Sequence, residues 1–357
     1  VLLNMENCIE YIEILLACWA GGFCAVPVNA KLHPREIEFI LHSSKALLIL
    51  SKGERANEIA PMATVRIIDV EQSDYRALLS RDISAPLQLD PDAPAWLFYT
   101  SGTTGRPKGA TLSHRNLIAM SWTYFADIDA LASGPQTQIH AAPLSHGAGL
   151  YALPHLLKGG HQFVLGSFDA QSIVDIIARN ENVSMFGAPT MLNMLMDSPC
   201  ISSLKSHHIN TIYYGGGPSY LSDQLRAVEV FDGRLFQLYG QGETPMTGTG
   251  LTKSMHADRK HPRYRDRMRS CGVARTGVQV RVVDRDGRDL KIGEAGEVVI
   301  RGDTVMSGYW GAREATADAL RDGWLYTGDI GSLDEDGFLT LTDRSKDVVI
   351  SGGMNIY

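Results

Sequence analysis

The chain has 357 residues, 44% hydrophobic and 20% charged, which suits two or three domains or subdomains with sizeable cores and is ordinary for a soluble globular protein. Its formal net charge of −7 excludes a general binder of nucleic acid or anionic membranes, so any phosphorylated ligand needs positive charge supplied locally. The five cysteines (Cys8, Cys18, Cys24, Cys200 and Cys271) are odd in number and lack C-x-x-C spacing, which argues against a zinc site or a disulfide framework and fits a reducing, cytoplasmic setting.

In chain order, Val1-Leu2-Leu3-Asn4 opens without an initiator methionine, as if entering in mid-domain. Asn7 to Ala20 carries Ile9, Ile12, Leu15, Leu16 and Trp19 at helical spacing and predicts an amphipathic helix ended by Gly21-Gly22. Phe23 to Val28 predicts a buried strand. The longest uncharged stretch, Ile14 to Val28, is 15 residues, short of the ~20 that span a bilayer, so no transmembrane segment is expected. Pro34 to Leu41 predicts another helix and Ala46 to Leu50 another strand; this alternation implies βαβ units and a largely parallel sheet.

The apolar stretch Ala95-Trp96-Leu97-Phe98 then opens into Tyr-Thr-Ser-Gly-Thr-Thr-Gly-Arg-Pro-Lys-Gly at 99–109. A strand leading into so many glycines and short hydroxyls can wrap backbone N–H groups around an anion, while Lys108 supplies charge. Glycine permits the close backbone approach because it has no Cβ. This is not the Gly-x-x-x-x-Gly-Lys-Ser/Thr loop, since Pro107 stands where its second glycine belongs. A plain polar turn shares the composition but needs neither the number of donors nor the lysine.

Beyond the loop, a helix near Asn116 to Phe125, a strand at His161 to Leu165, a helix at Ala170 to Asn180 and strands at Val183 to Phe186 and Asn210 to Tyr214 continue the α/β pattern. The strand Leu235 to Leu238 precedes Tyr239-Gly240-Gln241-Gly242-Glu243-Thr244. Arg259, Lys260, Arg263, Arg265, Arg267 and Arg269 form one marked charge run, read as a solvated face or as a landing site for a phosphate of coenzyme A. From Val278 the period becomes two: Val278 to Val283, the turn Asp284 to Gly287, Gly296 to Ile300, then Asp334 to Gly337 and Phe338 to Leu341 read as antiparallel and barrel-like.

The 99–109 run, continued by Ala110-Thr111-Leu112-Ser113-His114, strongly resembles the signature loop of the adenylate-forming superfamily, which includes acyl-CoA synthetases, luciferases and peptide-synthetase adenylation domains. Three further motifs follow in the superfamily's order: Tyr239 to Thr244, Tyr326-Thr327-Gly328-Asp329, and Asp343-Arg344-Ser345-Lys346-Asp347 with Ile350 to Asn355 behind it. The resemblance implies an α/β fold: a large N-terminal domain over 1–343, with α/β subdomains to about 270 and a distorted antiparallel β-barrel over 271–343. A hinge at 344–347 and the start of the C-terminal domain at 348–357 complete it. The N-terminal strand-and-helix region and nearly all of the small C-terminal α+β domain, with the superfamily's catalytic lysine, are expected to lie outside this sequence.

By the same resemblance the ligands are ATP, Mg²⁺, a carboxylic acid and coenzyme A, with a homodimer allowed and no nucleic acid. Thr100, Ser101, Gly102, Thr103, Thr104, Gly105 and Lys108 would hold the phosphates, with Lys108, Thr104 and Glu243 catalytic and Glu243 the metal ligand. Gly216, Gly217, Pro218, Tyr239, Gly240, Gln241, Gly242 and Thr244 would surround the nucleotide, with Asp329 on the ribose and Arg344 near ribose and phosphate. Gly242 departs from the usual threonine, a hydroxyl that Thr244 is expected to replace. His146, Gly147, Ala188, Pro189 and Gly215 would line the acyl pocket, where glycines at 147, 149 and 215–217 suggest room. Lys346 would be the pivot. The implied reaction activates an acid as its adenylate and transfers it to coenzyme A. A carrier-protein-loading adenylation domain is the alternative, although Leu238 precedes Tyr239 where such domains carry Asn, and 143–147 contains no acid for an amino group. A non-catalytic adenylate sensor is an alternative of another class.

Overall fold

The computed structural model describes residues 1–79, 85–100, 106–129, 136–344, 349–351 and 354–356. Short apolar runs punctuated by helices give a first, parallel sheet from β1 (Leu2–Asn4), β2 (Val26–Pro27), β3 (Leu48–Ser51) and β4 (Arg66–Asp69), in the order β2-β1-β3-β4. The helix Ile9–Ala20 packs Tyr11, Ile12, Ile14, Leu15 and Cys18 into the core, and Gly22 ends it at φ +74°, where a side chain would be strained. The strand expected at Phe23 to Val28 shortens to Val26–Pro27.

The apolar stretch before the glycine-rich loop is β5 (Pro94–Thr100), and its antiparallel partner β6 (Lys108–Ser113) returns directly after the loop. Backbone bonds from Ala25 N–H to Ala95 O (3.0 Å) and from Leu97 N–H to Ala25 O (2.8 Å) join this hairpin to the first sheet. The other edge of β6 is closed by residues 307–310, through Ser307 N–H to Thr111 O (2.9 Å), Thr111 N–H to Gly308 O (2.8 Å) and Trp310 N–H to Gly109 O (2.8 Å). The helix His114–Asp127 starts in a capping box between Ser113 and Asn116. Asn116 Nδ2 also donates to Asp303 O (2.7 Å) and Val305 O (2.9 Å), fixing the chain that returns to β6.

The second sheet contains β7 (Thr137–His140), β8 (His161–Val164), β9 (Val183–Gly187), β10 (Ile209–Gly215), β11 (Leu235–Tyr239), β12 (Thr249–Leu251) and β13 (Val273–Ala274), ordered β13-β12-β11-β10-β9-β7-β8. The five strands from β8 to β11 are parallel and the last two antiparallel. The chain leaves β7 toward β8 and returns to β9 on the other side, so the strand order reverses there and opens a crevice beyond the carboxyl ends.

The third sheet is antiparallel and half-barrel-like: β14 (Val278–Val283), β15 (Gly296–Gly302), β16 (Leu320–Arg321), β17 (Trp324–Leu333) and β18 (Leu339–Arg344). β19 (Val349–Ser351) and β20 (Met354–Ile356) form a separate hairpin. A buried ion pair, Arg275 Nε to Asp127 Oδ2 at 2.7 Å, ties the segment after β13 to the helix behind the loop hairpin. All five cysteines are free thiols. Among the described residues no helix is long and apolar enough to cross a membrane.

Candidate active site

The carboxyl ends of the parallel strands gather the segments singled out by the sequence. His146 and Gly147 follow β7, Ala188 and Pro189 follow β9, Gly216 to Pro218 follow β10, and Gly240 to Thr244 follow β11. The loop hairpin faces this row. Thr100 and Lys108 are paired across its stem, so the two ends of the glycine-rich loop are held opposite each other. Ser101, Gly102, Thr103, Thr104 and Gly105 lie outside the described residues.

Glu243 is buried, and its backbone O accepts from Met306 N–H (2.8 Å). Its carboxylate Oε1 accepts hydrogen bonds from the Tyr309 hydroxyl (2.8 Å) and from Thr100 Oγ1 (3.2 Å). Burial first, and the Glu243 charge second, push the Tyr309 phenol upward, so it remains a protonated donor at neutral pH. Lys108 Nζ stands 5.3 Å from the Tyr309 ring centre, within cation–π range. Thr100, Lys108, Glu243 and Tyr309 therefore converge at the mouth of the loop. Sequence reasoning missed Tyr309; its one signal is the preceding Gly308, at φ +138°, where a Cβ would sit 2.6 Å from Thr316 Cγ2.

A second polar cluster lies beside the first. Asp329 is buried and its Oδ2 accepts from the Tyr239 hydroxyl (2.8 Å) and Gln241 Nε2 (2.9 Å). Gln241 Nε2 also donates to Thr327 O (2.8 Å), joining the 239–244 and 326–329 motifs directly. Burial, then the Asp329 charge, raises the Tyr239 phenol well above its ordinary value. The register of β17 and β18 sets Arg344 opposite Asp329. Lys346 lies outside the described residues.

Gly242 is explained by its neighbour: a Cβ there would lie 2.3 Å from Cδ1 of Phe98. The threonine of the usual pattern therefore does not fit this backbone while Phe98 stands. Nor does Thr244 replace it. Thr244 is fully buried, and its hydroxyl accepts from Gln241 N–H (3.0 Å) and donates to Gln241 O (3.3 Å), closing the turn rather than facing a ligand.

The expected room on the acid side is also smaller than the glycines suggest. A Cβ on Gly215 would meet Leu238 O at 2.3 Å, and one on Gly149 would meet Leu144 O at 1.9 Å, so both serve close backbone packing. A Cβ on Gly147 would stand 3.4 Å from both Met246 and Phe186, and one on Gly216 3.6 Å from Met246 Cε. Met246 is held there with φ +58°, after Pro245 at φ +23°. The half-buried His146 ring shares a hydrogen bond of 2.8 Å between Nδ1 and Ser145 Oγ, and burial lowers its pKa to about 4, leaving it neutral. Phe98 meets it edge to face at 6.2 Å.

The basic run is largely neutralised within the protein. Arg263 pairs with Asp334 and with Asp336 (3.1 Å), Arg267 with Asp336 (3.4 Å), Arg269 with Asp266 (3.6 Å) and Arg259 with Glu229 (3.6 Å). Through Arg263 and Arg267 the run fastens the helix Tyr264–Arg269 to the turn before β18. Among the described residues no cluster of three or more His, Cys, Asp or Glu could hold a metal ion alone. A cation here suits the hard-oxygen pattern of one carboxylate plus substrate phosphates, which Glu243 fits.

The family profile described as AMP-binding enzyme matches residues 1–310. A feruloyl-CoA synthase of Amycolatopsis sp is 36% identical over 353 residues, covering 97% of this chain and 68% of the relative. A fatty acid–[acyl-carrier-protein] ligase of Streptomyces coeruleorubidus is 32% identical over 365 residues, covering 98% and 68%. The crystal structure of ATP-bound MatB from Rhodopseudomonas palustris superposes with a TM-score of 0.85 at 28% identity, covering all of this chain and 70% of that one.

Proposed function

The chain belongs to the AMP-binding enzyme family, within the adenylate-forming superfamily, and from that premise we propose that it activates a carboxylic acid with ATP and passes the acyl group to the thiol of coenzyme A. The observation that carries this reading is the convergence of Thr100, Lys108 and Glu243 at the loop mouth, next to the Asp329–Tyr239–Gln241 cluster. On this reading the first group takes the phosphates and the second the nucleoside.

In the first half-reaction a carboxylate oxygen bonds to the α-phosphorus of ATP, the bond to the β-phosphate oxygen breaks, and pyrophosphate leaves with the electron pair. Little covalent chemistry falls to the protein; its task is positioning and charge neutralisation. Lys108, with the hydroxyls of Ser101, Thr103 and Thr104, holds the departing pyrophosphate. Glu243, steadied by Tyr309 and Thr100, offers one ligand position for Mg²⁺, which when bound neutralises phosphate charge. Asp329 accepts from the ribose hydroxyls, a role its two acceptor oxygens suit, and Tyr239 lies along the nucleoside. His146, Gly147, Ala188 and Pro189 line the acid side.

In the second half-reaction the thiolate sulfur bonds to the acyl carbon and AMP departs. The free thiols accord with a reducing, cytoplasmic setting. The carrier-protein relative supports a second reading of the acceptor, in which a protein-bound pantetheine thiol takes the place of coenzyme A. The test is pyrophosphate release across a panel of carboxylic acids, with coenzyme A, a loaded carrier protein or neither. Acid-dependent release followed by acyl-CoA supports the first reading, and thioester only on the carrier supports the second. No release with any acid overturns both.

A further inference from the structure

Phe98 belongs to none of the motifs, yet it sits where they meet. It is two residues before Thr100 on β5, and its ring fills the space beside Gly242, immediately before Glu243. Its other side touches the His146 ring edge to face, with 86° between the planes. Behind it Trp96, fully buried, stacks at 6.5 Å and 19° and is itself backed by Trp19 at 6.3 Å. Phe98 is itself buried in this core, so a side chain at 242 would have to displace close-packed neighbours.

We infer that Phe98 is a positioning residue of the proposed adenylation: an apolar wedge between the nucleotide side at Gly242 and the acid side at His146, which fixes the His146 ring and keeps water from the acyl-phosphate anhydride. This rests on the adenylation reading. A wedge at that junction matters because the adenylate is prone to hydrolysis. Water oxygen bonds to the acyl carbon, the carbon–oxygen bond to the phosphate breaks, AMP leaves with the electron pair and the protons pass to solvent. Excluding water there suppresses the side reaction without changing how tightly ATP binds. The missing side chain at 242 is the counterpart of the wedge, because any Cβ there would force the ring away.

The test uses the full-length protein and an acid that supports ATP–pyrophosphate exchange, drawn from a panel including acetate, octanoate and ferulate. Two rates are read: exchange, and AMP release without a thiol. Phe98→Ala raises AMP released per exchange event about tenfold while the ATP KM stays within about twofold, and Phe98→Leu moves the same ratio less. His146→Ala raises it similarly, and the double variant adds little, as expected for residues acting as one unit. Gly242→Ala lowers exchange by about a hundredfold, and Phe98→Leu in that background recovers most of it. If Phe98→Ala does not fold, Phe98→Leu decides. Exchange and AMP release falling in parallel, or a fully active Gly242→Ala, overturns the wedge. No acid-dependent exchange by the wild type removes the adenylation reading and the wedge with it, whereas exchange with an unmoved ratio removes the wedge alone.

Discussion

The proposed nucleotide side and the proposed acid side of the candidate site are built by different means. On the nucleotide side, buried Glu243 and Asp329 each accept named hydroxyl or amide donors, and Gln241 links two motifs lying far apart in the chain. Directional bonds to charged oxygens fix atoms to fractions of an ångström and tolerate few residue types. On the acid side, Gly147, Phe186 and Met246 meet by contact alone, with His146 held by one hydroxyl and one ring edge. Packing of that kind tolerates substitutions of similar volume. The contrast teaches that such a site can keep its nucleotide chemistry constant while the acid it accepts drifts.

Lys108→Ala tests the contrast most severely. ATP–pyrophosphate exchange should fall about a hundred- to thousandfold, because removing an oriented charge from a developing anion costs that much, while AMP affinity measured by calorimetry should move far less. Equal losses in both would mean that Lys108 acts before the chemical step. Asp329→Asn comes next. Asn keeps one oxygen for Tyr239 and Gln241 but loses the charge and the second acceptor, so AMP affinity should drop about tenfold or somewhat more; an unchanged Kd would detach this cluster from the nucleoside.

Met246→Ala should instead leave the AMP Kd unchanged and shift kcat/KM toward bulkier acids by about tenfold, as a few methylenes allow. A uniform loss across the acid panel would blur the division between the two sides. The smallest effect concerns pH. The pKa values of His140, His146, His155 and His256 are all lowered by burial, His155 to about 3 and the others to about 4. Their unfolded forms take up protons first, so their contribution to stability is complete above about pH 6.5 and is lost as the pH falls toward 4. His155→Gln, which can still bond the Tyr124 hydroxyl, should flatten the melting curve's pH dependence by at most ~1.4 kcal/mol per pH unit, a few degrees in Tm. An unchanged slope between pH 6.5 and 4.5 would remove His155 from that account.

The sequence made the α/β architecture, the switch to antiparallel strands after Val278 and the gathering of the motifs readable, because hydrophobic period and residue chemistry are local signals. The helix at 9–20 and the strands at 183, 209 and 235 begin within a few residues of where the patterns place them. Three things were not readable. Tyr309 reaches Glu243 across 66 residues with no intervening pattern. Gly242 looked like a lost hydroxyl until Phe98 was seen occupying the space. Glycines at 149 and 215 looked like pocket room but admit neighbouring backbone, a distinction that exists only once the strands are paired.

The closure of β6 by residues 307–310 bears on how the protein is made. The chain that completes this edge is roughly 200 residues downstream of its partner, a contact of high sequence separation that forms late. During synthesis the outer edge of β6 stands unpaired for many seconds, open to other chains. Chaperone dependence, and a burst of misassembly when translation pauses before Ser307, are the expected signature of two paired walls born so far apart.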